Sequence, residues 1–596
     1  MKSGSPLLSS RTLAWVSLAA AVAFAAVLWH GRDSAFSARL LAWNNGGWPD
    51  AVFDGTYPAA RSFRALLGTF FSLALLWPLS RLLSRKGMPP VRAAETALLL
   101  GALLLGTLLR SDLWWTKSFW IDSYSLKAGL RTLSFPELFS EPLGFGQSAP
   151  VGFCFFEKCI GGWSGWNDRA LTFPLFLAGL AVLVLLPLAV ARAGAPRLAA
   201  PAALLAAVSP QLVYYSAEFK QYGFDALFAV LALLAALELG AGRRPRPLLA
   251  AVFLAGPFLS HTQFFLLPGL GLVLFLSVLR SGGAWHRPSR SGWADLLLFG
   301  GLGGIVVLAS HAHTAATMPG IMDTFWAPAF PPRGSVPAFL AWWGERALLF
   351  FRDPFAVLPV PSAVSPLRVA LFLPVPALLL AGMASRNRPV AAVSLLSVSA
   401  LALLVFASSL GKWPVRTGTD SVIESRHLLF LLPFAFFFLA LGLDRLRARC
   451  FPLALALVVA AVPVEFSRLL TDRIYSWSMP DAVAELARRA GGSEPILLGG
   501  YHHAVACAYA QDWFSLNESR IEVLRADDPS AFAARLDELA PGTAFWTLWA
   551  PRGKEGRILP GIFANHLPGR HADFSEKTPA GILQHFPAPP PSPPSP

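Results

Sequence analysis

Apolar runs of about 17 to 25 residues, long enough to cross a bilayer as helices, recur from Leu13 to Val464 with only short polar interruptions. The pattern predicts thirteen spans, over residues 12–30, 62–80, 94–110, 170–190, 198–215, 223–241, 247–261, 264–280, 294–312, 366–383, 389–409, 427–443 and 450–465. The expected fold class is a mainly α polytopic membrane protein filling residues 1–465. After residue 466 the pattern turns to that of a water-soluble segment. A helix over 479–490, with Pro480 at its start and Gly491 and Gly492 at its stop, precedes a short buried strand at 495–500. A helix over 529–539 and a strand over 543–549 follow, giving a small α/β domain over 466–586. The last ten residues, 587–596, hold seven Pro and two Ser, a composition that favours disorder or polyproline conformation.

The connections between spans alternate in kind. Seven of them are short and basic, from Lys2 and Arg11 through Arg192 and Arg197 to Arg445, Arg447 and Arg449, and together they hold nineteen basic residues against one acid, Asp444. The formal charge of +14 would suggest nucleic acid in a soluble protein, but outside these seven connections the chain is net negative. This is positive-inside patterning, so the charge reports topology, and no nucleic-acid partner is expected. An odd number of spans with the N-terminus inside places the C-terminal domain on the extracytoplasmic face. Lys2 and the small residues Ala23, Ala25 and Ala26 also fit a cleaved signal. The length of the first apolar run favours an uncleaved anchor. Only 14% of the residues are charged, where soluble domains carry about a quarter, and four Cys exclude a disulfide scaffold.

The remaining connections, 31–61, 111–169, 313–365 and 410–426, are long and rich in Trp, Pro and acidic residues, so the chemistry is sought on that face. In 111–169, Trp114, Trp115 and Trp120 suit an interfacial aromatic belt. Asp122 follows Trp120 between apolar neighbours, where a carboxylate is costly without a purpose or a partner. It fits a functional acid and, equally, an ion pair with Lys117, Lys127 or Arg131. The island SPQLVYYSAEFKQYGFDAL, 209–227, brings Tyr214, Glu218, Lys220, Gln221, Tyr222 and Asp225 to membrane depth. Helical spacing would put Glu218 with Tyr222, and Gln221 with Asp225. Lys220 suits an anionic headgroup, or a snorkelling anchor at a helix end. His261 lies in a polar hairpin with Ser260, Thr262 and Gln263 and fits a cavity wall or a helix cap, while Arg426 at the mouth of the twelfth span fits a phosphate ligand or a plain interfacial cation. His311, His313, His502 and His503 stand apart from Cys or carboxylates at metal-ligand spacing, so no metal site is expected among them. Cys154 and Cys159 read as apolar packing residues, and GGLGG at 300–304 as a close helix-packing surface. There is no P-loop, no HExxH and no DxD pair.

These segments, in this order, resemble the GT-C glycosyltransferases, in particular the polytopic enzymes similar to protein O-mannosyltransferases and lipid A aminoarabinose transferases. Trp120, Ile121, Asp122 and Ser123 stand where that family has Trp, a small apolar residue and Asp-Glu, so Ser123 departs from the pattern. QSAPVGFCFFEK, beginning at Gln147, looks like the family's Gln-x-x-Pro loop, and NDRALTFPLFLAG like its Arg-led span. SPQLVYYSAEFKQYGFD, SHTQFFLLPG and SRHLLFLLPF follow as further family segments, over about 95–445.

The resemblance implies an inverting membrane hexosyl- or pentosyltransferase that takes a sugar from a polyprenyl-phosphate donor and passes it to a lipid, glycan or protein acceptor. Asp122 would be the base, Lys220 and Arg426 would hold the donor phosphate, and Gln147, Glu218, Gln221, Tyr222 and His261 would line the pocket. A divalent metal is compatible with the family, and no other cofactor is implied. A bacterial inner-membrane location with the site facing outward is expected. The alternatives are a lipid or glycan transporter or flippase, or a degenerate GT-C scaffold in which Ser123 marks lost chemistry. Against transport, the spans show no inverted repeat and the ionisable residues gather at the outer ends instead of the midplane.

Overall fold

A computed structural model gives the fold. It describes most of residues 93–444 and, beyond them, chiefly 494–499, 521–524, 529–539, 543–549, 572–577 and 582–587. The expected spans at 12–30, 62–80 and 450–465, nearly all of the 479–490 helix and nearly all of the tail at 587–596 lie outside the described residues. The described chain divides into a helical unit and a smaller unit containing a sheet, with residues 117–125 counted in the second.

The helices run α1 Ala93–Thr116, α2 Ile121–Thr132, whose first five residues count in the second unit, α3 Val151–Ser164, α4 Asp168–Arg192, α5 Ala199–Val208, α6 Pro210–Tyr215 and α7 Tyr222–Gly240. They continue with α8 Arg246–Leu259, α9 Gln263–Leu279, α10 Arg290–Thr314, α11 Val336–Arg352, α12 Pro374–Met383, α13 Arg388–Ser409 and α14 Arg426–Asp444. Among the described residues five helices, α4, α7, α10, α13 and α14, are long and apolar enough to cross a membrane. The chain is an integral membrane protein, mostly helical. The apolar faces explain who sits inside: α4, α7 and α14 are largely buried, while α10 and α13 present Leu297, Ile305, Leu308, Val398 and Phe406 outward, as lipid-facing helices do. Central α7 packs on α4, α9 and α13, and α1 packs on α4 and α5. At the crossing of α1 and α5 a Cβ on Gly106 would come within 2.9 Å of the Ala207 Cα, so only glycine admits this approach.

Three expectations change. The span over 198–215 is two helices, because Pro210 forces Ser209 into an extended conformation (φ −61°, ψ 114°) and Ser209 caps the next helix through Leu212 N–H. The GGLGG stretch is a close-packing surface at one position alone: Gly303 meets Phe253, whereas Gly300, Gly301 and Gly304 face open space. Trp114 is no belt residue, since it is buried and stacked on Phe176 at 4.9 Å. Its indole donates to Arg169 O at 3.3 Å, and the Arg169 guanidinium donates back to Trp114 O at 2.9 Å. Of the two cysteines, Cys154 is buried as expected of a packing residue and Cys159 is exposed.

In the smaller unit, β1 Ile496–Gly499, β2 Ile521–Leu524, α15 Pro529–Leu539, β3 Phe545–Trp549, β4 Phe574–Lys577 and β5 Ile582–Phe586 form a sheet ordered β2-β1-β3-β5-β4 with its helix. β1 lies parallel to β2 and β3, while β5 is antiparallel to β3 and β4. The Phe545 and Phe586 rings stack at 5.1 Å across the β3–β5 pair.

Candidate functional site

The segment between α6 and α7 departs from regular helix inside the bundle. Residues 216–221 form successive turns, so the helical pairing of Glu218 with Tyr222 gives way to a compact loop. Backbone bonds such as Lys220 N–H to Glu218 O at 2.7 Å hold it. A loop at this depth is tolerated only when it is enclosed by protein or lines a cavity, and Glu218, Lys220 and Gln221 are buried.

Lys220 donates its ammonium to the Gln147 side-chain oxygen, and both groups are buried. A buried cation that answers to a carbonyl dipole is an arrangement suited to an anion. Tyr214 is hydrogen-bonded to Glu218, and the Arg426 guanidinium stands close to the same phenol. His427, beside Arg426, meets Tyr222 edge-on at 6.2 Å and Trp413 at 5.9 Å. Gln147, Glu218, Lys220, Tyr222 and Arg426 are therefore tied by these contacts to one loop and the start of α14. The side-chain oxygen of Gln221 is buried with no hydrogen-bond partner among the described residues.

His261 is held by a neighbour that the sequence reading left out of the site. Asp225, in the first turn of α7, accepts hydrogen bonds from Ser260 Oγ at 2.6 Å and Thr262 Oγ1 at 3.3 Å, clamping the two residues that flank His261. His311 and His313 stand near His261, and His313 Nε2 contacts Leu138 O at 3.2 Å. Among the described residues no three His, Cys, Asp or Glu side chains converge to hold a metal ion, so no step is assigned to one.

Asp122 lies in the first turn of α2, half-buried, and Ser123 beside it is fully buried. The later part of α2 is fastened twice. Lys127 forms a buried ion pair with Asp168 at 2.9 Å, and Lys158 donates to Leu130 O at 2.8 Å. Of the three cations suggested as partners for Asp122, Lys127 thus gives a bond to the foot of α4.

On α3, burial pushes the Cys154 thiol up to about 12, opposed by the nearby Lys220 charge. One turn on, Glu157 is completely buried, and neither carboxyl oxygen has a hydrogen-bond partner among the described residues. Burial alone holds its carboxyl well above the usual carboxylate range. A raised folded value means that the folded state binds the proton more tightly than the unfolded one. The stability it contributes is therefore full below the ordinary value near 4.5 and is lost as pH rises toward the folded value. Glu157→Gln is expected to flatten that part of the profile, leaving the variant more stable than wild type above neutrality. Melting temperatures of the two proteins in detergent from about pH 5 to about pH 8 check this; superimposable profiles would contradict it.

No protein-family model matches the chain, and no curated protein matches it in sequence. In structure it is similar to ArnT from Cupriavidus metallidurans in the apo state, with 14% identity and a TM-score of 0.45, over 83% of this chain and 98% of that one. The same protein bound to undecaprenyl phosphate aligns with 13% identity and a TM-score of 0.43, over 81% and 98% of the two chains. The archaeal oligosaccharyltransferase AglB from Archaeoglobus fulgidus, in complex with an inhibitory peptide and a dolichol-phosphate, aligns with 13% identity and a TM-score of 0.42 over 83% and 74%.

Proposed function

We propose that the chain is a membrane glycosyltransferase that moves a sugar from a polyprenyl-phosphate donor to a hydroxyl of a lipid, glycan or protein acceptor, with inversion. The reading places the site and the C-terminal unit on the extracytoplasmic face of a bacterial inner membrane, following the distribution of basic connections. Nucleotide sugars are not expected there, so the donor has to arrive through the lipid. The observation that carries the reading is the buried Lys220–Gln147 pair on the non-helical loop 216–221, which also carries Glu218, the partner of Tyr214, on whose phenol the Arg426 charge acts. Lys220 on this enclosed loop and Arg426 at the start of α14 suit a lipid phosphate in both ground state and product, and the ordered sequence segments from Gln147 to Arg426 support the same reading.

In this reaction Asp122 accepts the proton of the acceptor hydroxyl as its oxygen bonds to the anomeric carbon. The bond from that carbon to the phosphate oxygen breaks, and the pair of electrons leaves with polyprenyl phosphate. The leaving group needs no strong general acid, but its charge needs fixed donors in place before the bond breaks. Lys220 and Arg426 take that role, and Gln147 fixes the Lys220 ammonium.

Transfer of radiolabelled sugar from polyprenyl-phosphate donors to a membrane-lipid and glycan extract tests the proposal with the full-length protein. Lys220→Met is expected to raise the donor KM at least about tenfold, the loss of one charge-assisted bond, and to slow the step that expels phosphate. Movement of unmodified lipid across vesicles without a glycosyl product would overturn the proposal in favour of transport. Product formation unaffected by Lys220→Met would remove Lys220 from the site.

A further inference from the structure

The largest fully buried side chain is Arg110, near the outer end of α1. A buried guanidinium normally answers to a carboxylate, yet every hydrogen bond of Arg110 goes to backbone. One terminal nitrogen donates to Gly106 O at 3.0 Å in its own helix and to Ala207 O at 3.3 Å, and the other donates to Ala206 O at 2.8 Å. Nε has no hydrogen-bond partner among the described residues.

The two distant acceptors are in the last turn of α5. In an uninterrupted helix the Ala206 carbonyl would take the N–H of residue 210, but residue 210 is proline and has none. Arg110 supplies the missing donor from another helix and sets a positive charge against the negative end of the α5 dipole. The space for this is made by small residues. A Cβ on Gly179 of α4 would lie 2.4 Å from the Ser216 Cβ and 3.4 Å from Arg110 Nε, so α4, the guanidinium and the start of the 216–221 loop close on one another there.

We infer that Arg110 is a positioning residue: it holds open the helix break at Ser209–Pro210 and so aims the segment bearing Tyr214, Glu218 and Lys220. The inference deepens the proposed function, on whose donor site it rests. It separates two consequences that a merely structural arginine would keep together. Pro210→Ala returns an N–H to residue 210 and lifts the restriction on Ser209, so α5 runs on as continuous helix and the Ala206 carbonyl is satisfied without Arg110. The break, and with it the aim of the loop, is then gone.

Full-length wild type, Arg110→Met and Arg110→Met/Pro210→Ala are compared in nanodiscs for melting temperature, undecaprenyl phosphate affinity and amide exchange over 211–221. Arg110→Met is expected to melt lower, to bind the lipid phosphate about tenfold more weakly and to exchange faster over 211–221 than over α7. Adding Pro210→Ala is expected to restore the melting temperature and not the affinity. Wild-type affinity in Arg110→Met would overturn the inference, as would affinity that returns together with stability in the double variant. Should Arg110→Met fail to fold, the double variant is expected to fold and bind weakly, and its failure to fold would equally overturn the inference. A wild type that binds no undecaprenyl phosphate would sink the proposed donor site, while exchange over 211–221 would still decide the role of Arg110.

Discussion

Asp122→Asn is expected to lower glycosyl transfer by about 10² to 10⁴-fold, the contribution of general-base help to such a step, while leaving donor binding and melting temperature close to wild type. The carboxylate is half-buried in the first turn of α2, and the amide keeps its shape and one acceptor oxygen, so the fold has little reason to respond. On the proposed reading the donor phosphate is held by Lys220 and Arg426, so its binding needs no charge at 122. The signature is thus a fall in kcat at unchanged donor KM, measured with labelled donor and the same acceptor extract. A KM effect of comparable size would make Asp122 a binding group, and equal turnover would remove it from the chemistry. Ser123 sharpens the test. It is fully buried where the resembled family carries Glu, so on the proposed reading Asp122 would act without a neighbouring carboxylate at 123. A wild type that binds donor and never turns over would then point to the degenerate scaffold.

What the sequence discloses here divides along a physical line. Hydropathy locates apolar helices well because burial in lipid is a sum over a whole run, and the expected spans 170–190, 223–241 and 389–409 fall on helices Asp168–Arg192, Tyr222–Gly240 and Arg388–Ser409. The same sum cannot see a break. Pro210 sits among Val208, Leu212 and Val213, so a window average stays high across it. The local chemistry of Ser209 followed by Pro210, a capping hydroxyl before a first-turn proline, was the legible sign of a new helix. The Lys220–Gln147 bond joins residues 73 apart, a pairing that no local pattern states. Lys220 stands out by its charge at membrane depth and Gln147 by resemblance in segment order, and only geometry supplies the bond between them. Arg110 stands alone in an apolar run and Asp225 in a polar island, and neither carries a mark of its partner, which in both cases belongs to a different helix or hairpin. Trp114 shows the converse: its type suited the membrane interface, and a stacking partner on α4 drew it inside.

Breaking the Lys127–Asp168 pair is expected to give the largest loss of stability. Both side chains are almost wholly buried, at 3% and 2% exposure, and meet at 2.9 Å. Removing one member of such a pair leaves a buried charge without its counter-charge and typically costs about 3–5 kcal/mol. The two halves are not equivalent. Asp168 begins α4, where the positive end of the helix dipole favours an anion, so the carboxylate left by Lys127→Met keeps some support. The ammonium left by Asp168→Asn sits in the middle of α2, away from either helix end, and this variant should be the less stable of the two. Replacing both, as Lys127→Met/Asp168→Leu, removes both desolvation penalties and should recover most of the loss. Because α2 also carries Asp122 five residues before Lys127, single variants that still fold should lose transfer beyond their loss of stability. Melting temperatures of the four proteins, read at low and high salt, decide the matter. A buried pair is screened weakly, so the ranking should survive added salt. Additive single losses in the double variant would show that the two groups do not act as a pair.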